Sequence, residues 1–397
     1  MLGNSEATYG AVTKTFHWLT VLLMVTVIPL GIFAHDLPYA TGEELTRKAW
    51  YFSLHKTVGI TLFFTALARI AWAVFQPKPF PLSGSKQLEH WLAETVHWVL
   101  YSALVIVPLT GWIHHAASEG FAPIWWSFGQ NLPLIPKNET VSHVFKVLHF
   151  LTKNLLVAAI LLHIVGALKH HFIDRDVTLR RMLPGRTDPG LLPPPAESRL
   201  PMVAAGAAYL LAIALGSGLF ATPPQNSVAV PELEQQSSEW AVQEGTLTIT
   251  VDQLGSKVEG RFAVWTAVID FDEEPDANGL HGSVDVVISV PSLTLGSVTA
   301  QALGSEFFDA ELHQTGQFKA QITSAADSYL AAGTLTLKDV EAPIELPFTL
   351  EIDGDTAKMS GETVVQRLTF NIGETYPDES SVGFNVGVAV SLTATRN

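Results

Sequence analysis

Residues 144–172 read VFKVLHFLTKNLLVAAILLHIVGALKHHF, an apolar run with histidines set inside it at positions 149 and 163. Its centre, Asn154 to Leu168, carries no formal charge. Crossing the ~30 Å hydrocarbon layer takes about 20 helical residues at ~1.5 Å each. The run therefore reads as a membrane span. His149 and His163 are separated by about 21 Å of rise and fall only about 40° short of four full turns. Both imidazoles are expected on one helix face, near opposite membrane surfaces. A lone imidazole in hydrocarbon is costly, so each needs a partner and is a functional candidate.

Working outward, comparable spans precede this one. Thr15 to His35 and Thr95 to Ser118 contain no formal charge, and Thr57 to Pro77 contains only Arg69. Pro201 to Ala221 makes a fifth, small-residue-rich span. The first run lacks an A-x-A cleavage site and is read as an anchor. Pro29 and Pro108 lie inside spans, where bundle packing accommodates them.

The whole chain has 397 residues, 48% hydrophobic, with a mean hydropathy of +0.27. Residues 1–221 hold 16 Lys/Arg against 12 Asp/Glu, net +4; residues 222–397 hold 7 against 26, net −19. An acidic half repels nucleic acid and argues against that class of partner. The absence of cysteine excludes disulfides, thiolate metal sites and CxxCH haem attachment. Lys14, Lys78, Lys86, Lys169, Arg175, Arg180, Arg181, Arg186 and Arg199 fall on one side of the spans, against Arg47, Lys48, Lys56, Lys137 and Lys146 on the other. That bias places the N-terminus in the cytoplasm and, after five crossings, the acidic tail outside. Thr187 to Leu200 is Pro-rich and reads as a linker.

Twelve of the 14 histidines precede position 172. Haem iron takes two imidazoles at a time and is a natural partner for them. His17 opens the first span on the inner side, and His55 opens the antiparallel second span on the outer side. Topology then pairs His17 with His163 inside and His55 with His149 outside. Arg69, 14 residues after His55, lies at the inner level, where a haem propionate would supply its counter-charge. Gly59, one turn past His55, would leave room for a porphyrin face. His97 is the rival inner ligand, and His114 and His115 are the outer rivals. Trp18, Trp50, Trp72, Trp91, Trp98, Trp112, Trp125 and Trp126 are expected in an aromatic belt.

After Pro231 the period changes to two. Leu247, Ile249 and Val251 alternate with Thr248 and Thr250; Val284, Val286, Ile288 and Val290 alternate likewise, as do Val382, Phe384, Val386, Val388 and Val390. With Gly, Asp and Asn turns between them, these predict an antiparallel barrel or sandwich.

Residues 14–20 (KTFHWLT), 54–60 (LHKTVGI), 67–74 (LARIAWAV) and 161–185 (LLHIVGALKHHFIDRDVTLRRMLPG) resemble the bacterial cytochrome b561 family, related to the b subunits of Ni-hydrogenases and formate dehydrogenases. The resemblance covers residues 9–185. It implies a four-helix transmembrane bundle with two haem b groups, ligated by His17, His55, His149 and His163, exchanging electrons with quinone. Residues 305–313 (SEFFDAELH), 331–350 (AAGTLTLKDVEAPIELPFTL), and 367–374 with 380–394 (RLTFNIGE, SSVGFNVGVAVSLTA) resemble the YceI-like polyisoprenoid-binding domain, a lipocalin-like barrel, over residues 238–396. Where that family has histidines near its first strands, this chain has Gln243, Glu244, Gln253 and Leu254. Its Gly-Val-Thr turn reads Lys338-Asp339-Val340-Glu341. The barrel lining would include Leu247, Ile249, Val286, Ile288, Phe307, Phe308 and Phe384.

The expected architecture is therefore a multi-domain membrane protein: a di-haem bundle at 9–185, a linker at 186–200, a fifth transmembrane helix at 201–221 and a periplasmic barrel at 238–396. The expected function is transfer of electrons across the inner membrane to or from quinone, with superoxide as a donor on resemblance alone and an isoprenoid or quinone tail in the barrel. Other classes are an anchored lipid carrier without redox chemistry and a histidine-lined metal transporter. A homodimer is left open.

Overall fold

The computed structural model describes residues 1–82, 87–118, 120–187, 189, 198–220, 229–233, 238–325 and 328–397, with backbone only for 217–220. Lys86, Ala221 and most of the expected linker lie outside the described residues. The chain divides into two compact units. One comprises Met1–Asp36, Tyr51–Ala117 and Pro123–Gln225; the other comprises Leu37–Trp50, Ser118–Ala122 and Asn226–Asn397.

The helices α1 (Ala11–Asp36), α2 (Gly42–Val74), α3 (Gln87–Ala117) and α4 (Glu139–Lys169) are long and apolar enough to cross a membrane, and all but the first nine residues of α2 belong to the first unit. Hydroxyl side chains in these helices satisfy themselves on the preceding turn: Thr20 donates to the Phe16 carbonyl at 2.7 Å, Thr57 to Ser53 at 2.7 Å and Thr152 to Leu148 at 2.7 Å. No polar group is thereby offered to hydrocarbon at those positions. α4 starts five residues before the expected Val144, because Asn138 caps it by accepting from Val141 N–H at 3.0 Å. It ends in a π-turn, His170–Asp174, before the short α5 (Thr178–Met182). Val27, Leu62, Ala66 and Leu104 form one core cluster, and Ala103, Val107 and Leu156 another.

α6 (Leu200–Phe220) is helical where the fifth span is expected. It packs on the bundle through Ala205, in a cluster with Val96, Val99 and Ala159, and its Tyr209 hydroxyl meets Ser102 Oγ at 3.0 Å.

At one end of the bundle, Lys14 Nζ donates to the Leu183 and Gly185 carbonyls at 2.8 Å each, and Trp18 Nε1 to the Met182 carbonyl at 2.8 Å. Arg181 is buried, with its guanidinium on the Phe80 and Ala7 carbonyls at 2.9 Å each. Four of the basic residues expected to share a side (Lys14, Lys78, Lys169 and Arg181) thus serve this one end, Lys78 through Glu94 at 2.7 Å and Lys169 through Glu89 at 2.6 Å.

The second unit is built on ten strands: β1 (Trp240–Gln253), β2 (Ser256–Phe262), β3 (Trp265–Phe271), β4 (Leu280–Ser289), β5 (Leu293–Thr294), β6 (Thr315–Ala325), β7 (Ser328–Leu337), β8 (Val340–Asp353), β9 (Thr356–Gln366) and β10 (Val382–Arg396). Neighbours pair antiparallel in the order β3-β4-β6-β7-β8-β9-β10-β1-β2-β5. β2 and β3 are two halves of one kinked strand: β2 pairs with β1 and β3 with β4. Counted so, and with two-residue β5 set aside, the sheet closes as an eight-stranded barrel, which leaves no long free edge. At the kink, Val264 N–H donates to Ser292 Oγ at 3.0 Å and Ala263 N–H to the Ser292 carbonyl at 3.2 Å. Along the seam between the start of β1 and β3, Ser238 Oγ accepts from Ile269 N–H at 2.6 Å and donates to the Ile269 carbonyl at 2.9 Å. The β7–β8 turn is two residues, Lys338 and Asp339, with φ of 49° and 60°. Both lie in the left-handed region that a tight hairpin of matching twist requires.

Candidate functional site

The level of the bundle expected to be the outer one carries His55 and His149. His55 Nδ1 bonds the Val27 carbonyl at 2.9 Å, and His149 Nδ1 bonds the Val107 carbonyl at 2.8 Å. A carbonyl only accepts, so in each ring Nδ1 carries the proton and Nε2 keeps its lone pair. That arrangement presents Nε2 as a metal ligand. Gly31 and Gly111 stand against the two rings: a Cβ on Gly31 would lie 2.7 Å from His55 Cε1, and one on Gly111 3.0 Å from His149 Cε1. Gly59 has only Val27 Cγ2 near its open side, at 3.9 Å. His114 Nδ1 is engaged by Ser142, at 2.8 Å from its Oγ and 3.0 Å from its carbonyl oxygen, and the His114 ring lies 4.5 Å from that of His115.

The inner level gathers His17, His97, His163 and Arg69. The His17 and His163 ring centres are 6.4 Å apart, and those of His97 and His163 are 5.2 Å apart with the rings edge to face. The Arg69 guanidinium lies over the Tyr101 ring at 5.0 Å, and among the described residues it meets no carboxylate. An unneutralised guanidinium inside a bundle calls for an anion. A pair of imidazoles 6.4 Å apart beside a guanidinium at one level, and two Nδ1-anchored imidazoles against glycine-lined walls at the other, suit a dianionic porphyrin with an iron centre. Haem b therefore fits the residues present.

At the end of the fourth span, His170 is held by Asp176 at 2.7 Å and Asp174 at 3.2 Å. Burial pushes the Asp176 carboxyl up, but hydrogen bonds from Thr178 and His170 outweigh that and hold it below its usual range. Trp112 and Trp126 pack 5.1 Å apart with the exposed Phe64 close to both, and Trp18, Trp50, Trp98 and Trp125 are exposed.

In the barrel, a cavity of about 260 Å³ is lined by Leu247, Ile249, Val286, Ile288, Phe307 and Phe308 as the alternation predicts. Phe384 does not line it. Val251 pairs with Val386 but Gln253 with Val382, so a bulge on β10 takes Phe384 out of the period-two pattern, and its ring covers the Arg367 guanidinium at 5.3 Å. Arg367 is itself buried and donates to the carbonyls of Gly383, Ile372, Gly373, Tyr376 and Val382 at 2.6–3.2 Å. Gln253 also lines the cavity, and its buried Oε1 has no hydrogen-bond partner among the described residues.

Comparison with known proteins decides the bundle's identity. Residues 8–185 match the family model described as prokaryotic cytochrome b561. Cytochrome b561 homolog 2 of Escherichia coli strain K12 is 30% identical over 183 residues, covering 45% of this chain and 93% of that protein. The chain belongs to the prokaryotic cytochrome b561 family. Another cytochrome b561 relative, named as the probable superoxide oxidase CybB of Yersinia pestis, is 28% identical over 44% of this chain and 96% of its own length. Membership in the cytochrome b561 family carries haem b as the cofactor and electron transfer in a membrane as the setting. Residues 239–394 match the YceI-like domain model. The crystal structure of BcnA from Burkholderia cenocepacia is 29% identical, covering 38% of this chain and 96% of that one, with a TM-score of 0.35. The chain is thus a cytochrome b561 bundle joined to a YceI-like barrel.

Proposed function

We propose that this protein is a di-haem cytochrome b that passes electrons across a bacterial inner membrane to or from ubiquinone. The carrying observation is the 6.4 Å separation of the His17 and His163 ring centres. Two imidazoles binding one metal from opposite sides, each about 2 Å from it and with about 1 Å from nitrogen to ring centre, have centres about 6 Å apart. His97, with its ring 5.2 Å from that of His163 and edge to face, stands beside the pair. His55 and His149, with Nδ1 tied to backbone carbonyls, hold the second group at the outer level. Bound there, haem supplies reversible one-electron chemistry. Arg69 would neutralise propionate charge at the inner level, and the surrounding apolar side chains would exclude water.

With the N-terminus in the cytoplasm, α6 as a fifth crossing puts the barrel in the periplasm. The basic residues Arg47, Lys48, Lys137 and Lys146 then face that side and favour an anionic donor such as superoxide, while Lys56 is buried; a relative bearing the superoxide oxidase name supports this choice. The barrel takes an isoprenoid chain, such as a quinone tail, in its apolar cavity, with Gln253 Oε1 available to a polar head. Joining the two domains raises the local concentration of that lipid at the bundle.

The test uses the purified full chain in detergent. An enzymatic superoxide flux should develop the reduced b-type absorption band, and added ubiquinone should discharge it. A band that superoxide leaves unmoved, and that ubiquinol also fails to raise, overturns the reading.

A further inference from the structure

The two hairpins of the bundle, α1–α2 and α3–α4, carry one residue pattern twice. His17-Trp18 in α1 matches His97-Trp98 in α3. Ten residues after each histidine stands a valine, Val27 and Val107, and fourteen residues after it a glycine, Gly31 and Gly111. In the partner helices, His55 in α2 matches His149 in α4; seven residues on come Leu62 and Leu156, and fourteen residues on come Arg69 and His163. The packing follows the pattern. Val27 and Leu62 share one core cluster, and Val107 and Leu156 share another. Each second-helix histidine bonds the carbonyl of its own hairpin's valine, at 2.9 Å and 2.8 Å, and lies against the glycine four residues beyond that valine.

The spacing has a physical cause. A helical carbonyl points toward the residue four positions later, whose Cβ ordinarily leans back over it. Glycine at that position uncovers the carbonyl from the side, so a ring on the next helix can reach it. At the outer level the two halves of the repeat are therefore equivalent. At the inner level they have diverged, since Arg69 stands where the other half has His163.

We propose that Gly31 and Gly111 are paired positioning residues for the outer haem, each opening its helix wall so that His55 or His149 can anchor Nδ1 on the Val27 or Val107 carbonyl and direct Nε2 at the iron. This rests on the di-haem reading above. An alanine at position 31 would put its Cβ within 2.7 Å of the His55 ring, and one at 111 within 3.0 Å of the His149 ring. Each ring must then swing off its carbonyl, Gly31→Ala more than Gly111→Ala. Loss of such an outer hydrogen bond to a metal-bound histidine weakens metal retention by about 10- to 100-fold.

The experiment reads haem spectra of the full chain carrying His163→Ala, so that the outer haem alone is observed. Gly31→Ala and Gly111→Ala are added singly, with Gly206→Ala, which meets nothing within 4 Å, as the control. The expected result is a changed low-spin electron paramagnetic resonance signal and a shifted midpoint potential for both variants, larger for Gly31→Ala, with haem more easily stripped and the control unmoved. If Gly31→Ala fails to accumulate, Gly111→Ala decides. An outer signal that neither variant moves, or that Gly206→Ala moves equally, overturns the proposal while leaving the di-haem reading intact. A parent protein without b-type haem sinks that reading instead.

Discussion

At the scale of single residues, the bundle's chemistry turns on which imidazole faces which. The ring separations at the inner level, 6.4 Å for His17–His163 and 5.2 Å for His97–His163, underlie the proposed pairing of His17 with His163. His163→Ala is expected to remove the inner haem and spare the outer one, whereas His97→Ala keeps both; reduced-minus-oxidised difference spectra of the two variants check this. In the barrel, Arg367 supplies the donors for five carbonyls around β10 and the loop before it. Each buried acceptor left without a donor costs about 1–3 kcal/mol. Arg367→Met is therefore expected to lower the barrel's calorimetric unfolding transition by several degrees or more while leaving the haem bands unchanged.

At the scale of elements, the barrel's kinked strand is held at its break and seam by side chains. Ser238 bridges both backbone groups of Ile269, and Ser292 serves the kink. Ser238→Ala is expected to cost about 1–2 kcal/mol and to speed hydrogen exchange at the Ile269 amide, with the β6–β7 amides unaffected. The helices and strands were legible in the sequence because hydropathy runs and period-two alternation each follow directly from burial on one or both sides of an element. Phe384 was misplaced because a bulge on β10 breaks that alternation, and bulges leave no period of their own. The starts of α2 and α4 were set too late because charged residues extend both helices beyond the apolar run. The roles of Gly31 and Gly111 leave no mark in the sequence of either helix alone, since their partners lie on neighbouring helices; Gly59, one turn from His55 in the same helix, meets only Val27 on its open side.

At the scale of the molecule, two modules of different chemistry share one chain. A basic, histidine-rich bundle of the cytochrome b561 family is joined to an acidic YceI-like barrel. The cavity of about 260 Å³ and its apolar lining give the barrel a place for an isoprenoid chain. Organic extraction of the full protein followed by mass spectrometry is expected to release an isoprenoid lipid; a clean extract counts against the barrel's assigned role. The central claim is that four imidazoles at two levels hold two haems, and it is tested most directly by haem quantification against protein mass. Two b-type haems per chain are expected, both low-spin and resolved as two potentials in a redox titration. A chain that carries none, or only one, contradicts it.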